Sequence, residues 1–130
     1  MADLWQNERD QLSTNIAKQL ENGTIMEYNT YRDAVTLAND SRAQLEGIFG
    51  DVDFCLAPAA TGEAPEGLGY TGDPQFQGCW TILHVPTISL PTHKGPNGLP
   101  VGIQLVGQRW QDESLLSWSR WVMNKLRPAL

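Results

Sequence analysis

Apolar side chains recur at helical intervals along the first part of this chain and at strand intervals further on. Trp5, Leu12, Ile16 and Leu20 fall on one stripe of a helix running from about Leu4 to Leu20. Asn22-Gly23 is a stop signal, because Gly tolerates the left-handed conformation that closes a helix. Thr24-Ile25-Met26-Glu27 then has the form of a capping box, in which the Thr hydroxyl and the Glu carboxylate each satisfy an orphan backbone N–H. Behind it Tyr31, Ala34, Val35, Ala38, Leu45, Ile48 and Phe49 predict a long amphipathic second helix ending near Gly47 or Gly50. The two helices are expected to form an antiparallel hairpin over residues 1–50.

The period changes at Asp51-Val52-Asp53-Phe54-Cys55-Leu56-Ala57-Pro58. Val52, Phe54 and Leu56 alternate, while Cys55 and Ala57 between them are small and apolar, which predicts a strand covered on both faces. Residues 58–74 hold seven Gly or Pro and predict a long irregular loop. Gln75 to Leu83 reads as a short helix carrying Trp80, and Val85 to Leu90 as a strand bounded by Pro86 and Pro91. Gly95-Pro96-Asn97-Gly98 is a turn, and Val101, Ile103 and Leu105 alternate behind it, so a hairpin is expected. Asp112 caps a last helix whose apolar set runs from Leu115 to Leu126. The elements predict an α/β fold, with a small mixed β-sheet of about three strands flanked by helices, in the order α-α-β-(α)-β-β-α. Residues 1–130 are expected to form one domain, with residues 51–130 as its α/β part.

Composition narrows the function. A chain of 130 residues with 41% apolar and 18% charged side chains suits one small domain with a core. No run approaches the roughly 20 apolar residues of a membrane span. The opening Met1-Ala2-Asp3-Leu4-Trp5-Gln6-Asn7-Glu8 has no basic or apolar leader pattern, so no signal peptide and a cytoplasmic location are expected. The net charge of −6 argues against nucleic acid. Charge is uneven: residues 1–80 carry 4 basic and 13 acidic side chains, residues 81–130 carry 5 and 2. Cys55 and Cys79 make neither a disulfide framework nor a zinc site, and no metal or cofactor is expected.

Candidate chemistry is sparse. Gly67-Leu68-Gly69-Tyr70-Thr71-Gly72 satisfies G-x-G-x-x-G, but it follows Ala-Pro-Glu and runs into Asp73-Pro74, so it reads as loop rather than as a dinucleotide site. His84 and His93 are the candidate bases for nucleophilic catalysis. Strand alternation puts Ser89, Pro91 and His93 on one side, with Asp73 or Asp112 as the acid of a conceivable triad, although no G-x-S-x-G elbow is present. Trp118 and Trp121 widen the apolar face of the last helix beyond what a surface helix needs, which predicts a homo-oligomer or a partner chain covering them.

Several segments together resemble the amidase signature family of serine hydrolases. Asp51 to Pro58 is similar to its "D-ll-P" strand. Trp80-Thr81-Ile82-Leu83-His84-Val85-Pro86-Thr87-Ile88-Ser89-Leu90-Pro91 resembles "W-T/N-l-x-G-x-P-a-x-s-x-P". Gly98-Leu99-Pro100-Val101-Gly102-Ile103-Gln104-Leu105-Val106-Gly107 resembles "G-L-P-V-G-x-Q-L-V-G", and Asp112-Glu113-Ser114-Leu115-Leu116 resembles "D-x-x-L-L". The stretch from Gly23 through Tyr31-Arg32-Asp33-Ala34 is similar to "G-x-x-i-x-x-x-x-Y-x-x-A". The likeness covers the C-terminal portion of that family. It implies a region that completes a mixed central sheet and walls the acyl or leaving-group pocket, with Trp80 and Thr81 toward a small amide or ester substrate. The family's chemistry uses a nucleophilic Ser, a cis-Ser and a Lys, with the serines in a Gly/Ser-rich segment upstream of this portion. This sequence has no Ser-Ser dipeptide, and Lys18, Lys94 and Lys125 match no catalytic position, so no catalytic residue carries over. His84 stands where the family commonly has a small residue.

Three readings follow. The first is a truncated amidase-like segment that completes a hydrolase whose Ser and Lys lie elsewhere. The second is a freestanding miniature esterase or amidase using Ser89, His93 or His84. The third is a non-catalytic oligomerising or binding module.

Overall fold

The computed structural model describes residues 2–126. The chain packs as two compact units divided between Leu37 and Ala38, inside its longest helix.

The first unit is helical. Its expected single opening helix is broken into α1 (Ala2–Asn7), a 3₁₀ turn at Arg9–Gln11 and α2 (Thr14–Thr24). The break arises where Ser13 takes up extended backbone and its hydroxyl accepts the N–H of Ile16, starting a new helix. Arg9 bridges the break, stacking 4.0 Å from the Trp5 ring and pairing with Glu21 at 3.7 Å. Asn22-Gly23 does not stop α2, which runs on to Thr24. The capping box does not form either. The Thr24 hydroxyl donates backward to the Glu21 carbonyl, and α3 (Tyr28–Phe49) starts after Glu27, whose carbonyl accepts from Tyr31. Thr24 is spent inside the helix it ends and cannot cap the next. The end of α3 at Phe49, just before Gly50, is where the sequence places it.

The second unit is built on a three-stranded sheet. β1 is Cys55–Pro58, β2 Thr87–Lys94 and β3 Pro100–Val106, in the spatial order β1-β3-β2. The α/β class, the strand number and the element order are as expected. The mixed character is not, since both pairings are antiparallel. β1 and β2 run the same way, but β3 lies between them, so no parallel pair forms among the described strands.

β2 departs from its expected limits. It begins after Pro86 and continues through Pro91 to Lys94. A proline is tolerated there because β2 is an edge strand, and a bulge follows at once between Pro91 and His93. Gly102 on β3 is required by closeness: a Cβ there would lie 2.6 Å from the Leu90 carbonyl oxygen.

The remaining helices are α4 (Gly78–Leu83) and α5 (Asp112–Leu126), the latter capped one residue early by Gln111, whose carbonyl accepts from Leu115. They cover opposite faces of the sheet. Adjacent strand residues point to opposite sides, so Leu105 and Val106, both fully buried, enter two different cores. Leu105 joins Leu90, Leu115 and Val122, with Phe54 and Trp118 against them. Val106 joins Leu45 and Phe49 from the end of α3, with Cys55, Trp80, Leu83 and Val85 against them. β1 is not covered on both faces as expected. Cys55 and Ala57 are half-buried, but Leu56 is 61% exposed: it shares the face of its partner Leu105 yet lies on the edge strand, outside the cluster that Leu105 forms with Leu90, Leu115 and Val122. Trp118 is also more internal than expected, packing 5.8 Å from the Phe54 ring, while Trp121 stays half in solvent.

Candidate functional site

The Gly/Pro-rich segment that follows β1 is irregular up to the turn before α4, yet it is held at several points. Gln104 on β3 is almost fully buried, and its side-chain amide donates to the carbonyls of Pro58 (2.9 Å) and Phe76 (2.7 Å), the two ends of the segment. Gln77 donates to the Ala59 carbonyl beside it. In the middle, the Glu63 carboxylate crosses to the β2–β3 turn. It accepts the backbone N–H groups of Asn97 (3.0 Å) and Leu99 (2.9 Å) and the Asn97 side-chain amide (2.7 Å). A side chain at Gly95 would overlap Glu63, so the turn glycine makes room for the carboxylate. The pinned segment encloses an open cavity of about 450 Å³ whose walls include Thr61, Glu63, Thr71, Asp73 and Gln77. No helix opens on Gly72, so the G-x-G-x-x-G match sits in loop as read.

Trp80 and Thr81, the pocket candidates, lie on α4. Trp80 is half-buried against Leu45, Phe49 and Val106. Its indole N–H is shielded from solvent and has no hydrogen-bond partner among the described residues. The ring borders an apolar cavity of about 280 Å³ shared with Leu45, Ile48, Cys55 and Leu83. Thr81 is exposed, and its hydroxyl donates back to the Gln77 carbonyl.

The candidate nucleophile and bases lie apart. Ser89 and His93 are both exposed on β2, but the bulge after Pro91 overturns the alternation expected of them: Ser89 pairs with Gln104 and His93 with Val101, so the two lie on opposite faces of the sheet. Their partners on β3 are three residues apart, so about 10 Å separates them along the strand, against the ~3 Å that proton transfer needs. His93 instead contacts the Thr92 hydroxyl at 3.0 Å. His84 ends α4 in left-handed backbone (φ 58°), a conformation that favours glycine. Its Nε2 lies 3.1 Å from Arg42 Nη2. A guanidinium can only donate, so Nε2 accepts and the ring proton sits on Nδ1. Asp73 accepts from the Gln75 N–H, and Asp112 lies in the first turn of α5. Among the described residues neither histidine is bonded to a carboxylate, and Ser89 is bonded to neither histidine. Cys55 and Cys79 are both free, and no group of three or more His, Cys, Asp or Glu gathers as a metal site among the described residues.

Sequence reasoning missed Gln104, Glu63 and Arg42, which do the tying. Gln104 left a trace as a lone polar residue inside an otherwise apolar strand. Glu63 and Arg42 left none, because each acts on residues more than 30 positions away.

Comparison with known proteins fits these elements into a larger frame. The chain is 39% identical over 80 residues to a glutamyl-tRNA(Gln) amidotransferase subunit of Wolinella succinogenes, covering 56% of this chain and 18% of that one. It is 34% identical over 100 residues to the corresponding protein of Ruegeria sp., covering 69% and 19%. It therefore spans less than a fifth of the length of these curated relatives. Among solved structures it superposes on an amidase with a TM-score of 0.81 at 28% identity, over 93% of this chain and 30% of the other. A glutamyl-tRNA(Gln) amidotransferase subunit from Thermotoga maritima shares the fold at 22% identity, with a TM-score of 0.56, over 80% and 26%. The Amidase family model matches residues 3–116. That match takes in α1 through the first turns of α5, and the chain belongs to the Amidase family.

Proposed function

We propose that this chain is the C-terminal segment of an amidase-signature hydrolase acting on amides or carboxylic esters, and that residues 1–130 work as one domain. In this reading the sheet and its pinned loop wall the substrate pocket, with Trp80 and Thr81 on that wall. The nucleophilic serine and its lysine come from polypeptide outside these 130 residues. The observation that carries the reading is the superposition of 93% of this chain on 30% of an amidase. The distance between Ser89 and His93 along β2 supports placing the nucleophile elsewhere.

The exposed face of Leu56 and the half-exposed Trp121 are the surfaces through which the remaining polypeptide, or a second copy, covers this segment. The chain works in the cytoplasm; among the described residues no helix is long and apolar enough to cross a membrane.

The test is hydrolysis of short aryl esters and simple amides by the purified chain, alongside a serine-reactive phosphonate followed by intact mass. The expected result is neither turnover nor adduct. Turnover with a single labelled serine would sink this reading and replace it with a self-contained small hydrolase.

A further inference from the structure

Two non-glycine residues among those described adopt left-handed backbone: His84 (φ 58°) and Trp110 (φ 67°). For a bulky aromatic this conformation is strained, and such strain gathers at sites where geometry matters more than stability. The two residues lie at the same place. Trp110 lines a cavity of about 310 Å³ in the second unit, and His84 contacts Arg42, which lines it too.

The cavity has two chemically distinct parts. Leu45, Phe49, Leu83 and Val85 make an apolar surface. Arg42, Arg109 and Trp110 make a cationic and aromatic one. Arg42 is held on three sides: Nε donates to the Ile82 carbonyl (2.8 Å), Nη1 to Asn39 Oδ1 (2.7 Å) and Nη2 to His84 Nε2 (3.1 Å). None of these partners is a carboxylate, so the guanidinium is held in place with N–H groups to spare, and no ion pair to it forms among the described side chains. Arg109 lies 4.9 Å from the Trp110 ring, a neutral partner, and has no ion pair among the described residues. No carboxylate lines the cavity among the described side chains.

Arg42, held in place, and the exposed Arg109, neither of them paired with a carboxylate among the described side chains, lie beside an apolar surface and suit an anion with an apolar body. We infer that this cavity binds a small apolar carboxylate, its carboxylate between Arg42 and Arg109 and its hydrocarbon part against Phe49 and Leu83. A guanidinium fork matches a carboxylate in plane and spacing. The volume lies at the low end of ligand pockets, which limits the guest to one ring or a short branched chain. A phosphate would leave the apolar surface unused. The inference does not depend on the proposed hydrolase activity, since it is read by binding alone.

The test uses the whole purified chain at pH 7 and low salt. Phenylacetate, phenylacetamide and acetate are titrated in turn and followed by the amide and indole N–H resonances of an NMR spectrum. Phenylacetate is expected to bind saturably, with shifts centred on Leu83, Arg109 and the Trp110 indole. The neutral amide and the ring-less acetate should each bind at least tenfold more weakly. R109Q changes an exposed residue with no structural bond, so its melting temperature should hold while phenylacetate falls to the level of the amide. No saturable binding, equal affinity for the amide, equal affinity for acetate, or undiminished binding by R109Q would each overturn the inference.

Discussion

Glu63 holds Asn97 from both ends: its carboxylate accepts the Asn97 backbone N–H at 3.0 Å and the side-chain amide at 2.7 Å. A loop glutamate thereby organises a hairpin turn 34 residues away. Bonds to a charged acceptor contribute about 1.5–3 kcal/mol when well formed, and partial exposure lowers that. Glu63→Ala is therefore expected to cost about 1.5 kcal/mol in urea unfolding, with faster hydrogen exchange at Asn97 and Leu99. Glu63→Gln, which keeps an acceptor oxygen, should lose less. An unchanged urea midpoint in Glu63→Ala would show that the turn stands by itself.

Gln104 joins both ends of the loop from within the core. Replacing it with Met keeps the volume but strands the carbonyls of Pro58 and Phe76. Both bonds are part-buried, and leaving their acceptors unpaired costs up to about 1–3 kcal/mol. Gln104→Met should thus destabilise by about 2–3 kcal/mol and open residues 59–77 to limited proteolysis well before global unfolding. Equal protease resistance in variant and parent would refute the tie.

Gly102 leaves no room for a side chain beside the Leu90 carbonyl, whereas Gly69 has open space around it. Gly102→Ala must push β2 away from β3, and overpacking of this kind costs about 1–3 kcal/mol. Gly69→Ala is expected to be neutral within about 0.5 kcal/mol. Thermal melts of the two variants side by side distinguish a steric requirement from a general preference for glycine.

Leu105 is fully buried and Leu56 is 61% exposed, although both are apolar strand residues paired across β1 and β3. Leu105→Ala should cost about 3 kcal/mol or more, as buried Leu-to-Ala changes do. Leu56→Ala in the isolated chain should cost little. A large loss at Leu56 would mean that its face is covered, most simply by a second copy, and sedimentation would then show the dimer.

Much of this was legible locally. The end of α3 before Gly50, the irregular stretch between β1 and α4, the Gly95–Gly98 turn and the face of β3 that carries Leu105 follow from periodicity and turn chemistry, which act over a few residues. The family motifs were legible for the same reason, being short runs read in order. Tertiary structure decided what depends on distant neighbours. Ser13 broke the first helix and Thr24 declined its cap, because each hydroxyl had competing partners that sequence cannot rank. The sheet became antiparallel because β3 inserted between β1 and β2, a choice no strand makes alone. Leu56 stayed exposed although its pattern asks for burial, since cover comes from whatever packs on that face. Glu63, Gln104 and Arg42 took their roles from partners 28 to 46 positions away, and contacts at that separation exist only once the chain has folded.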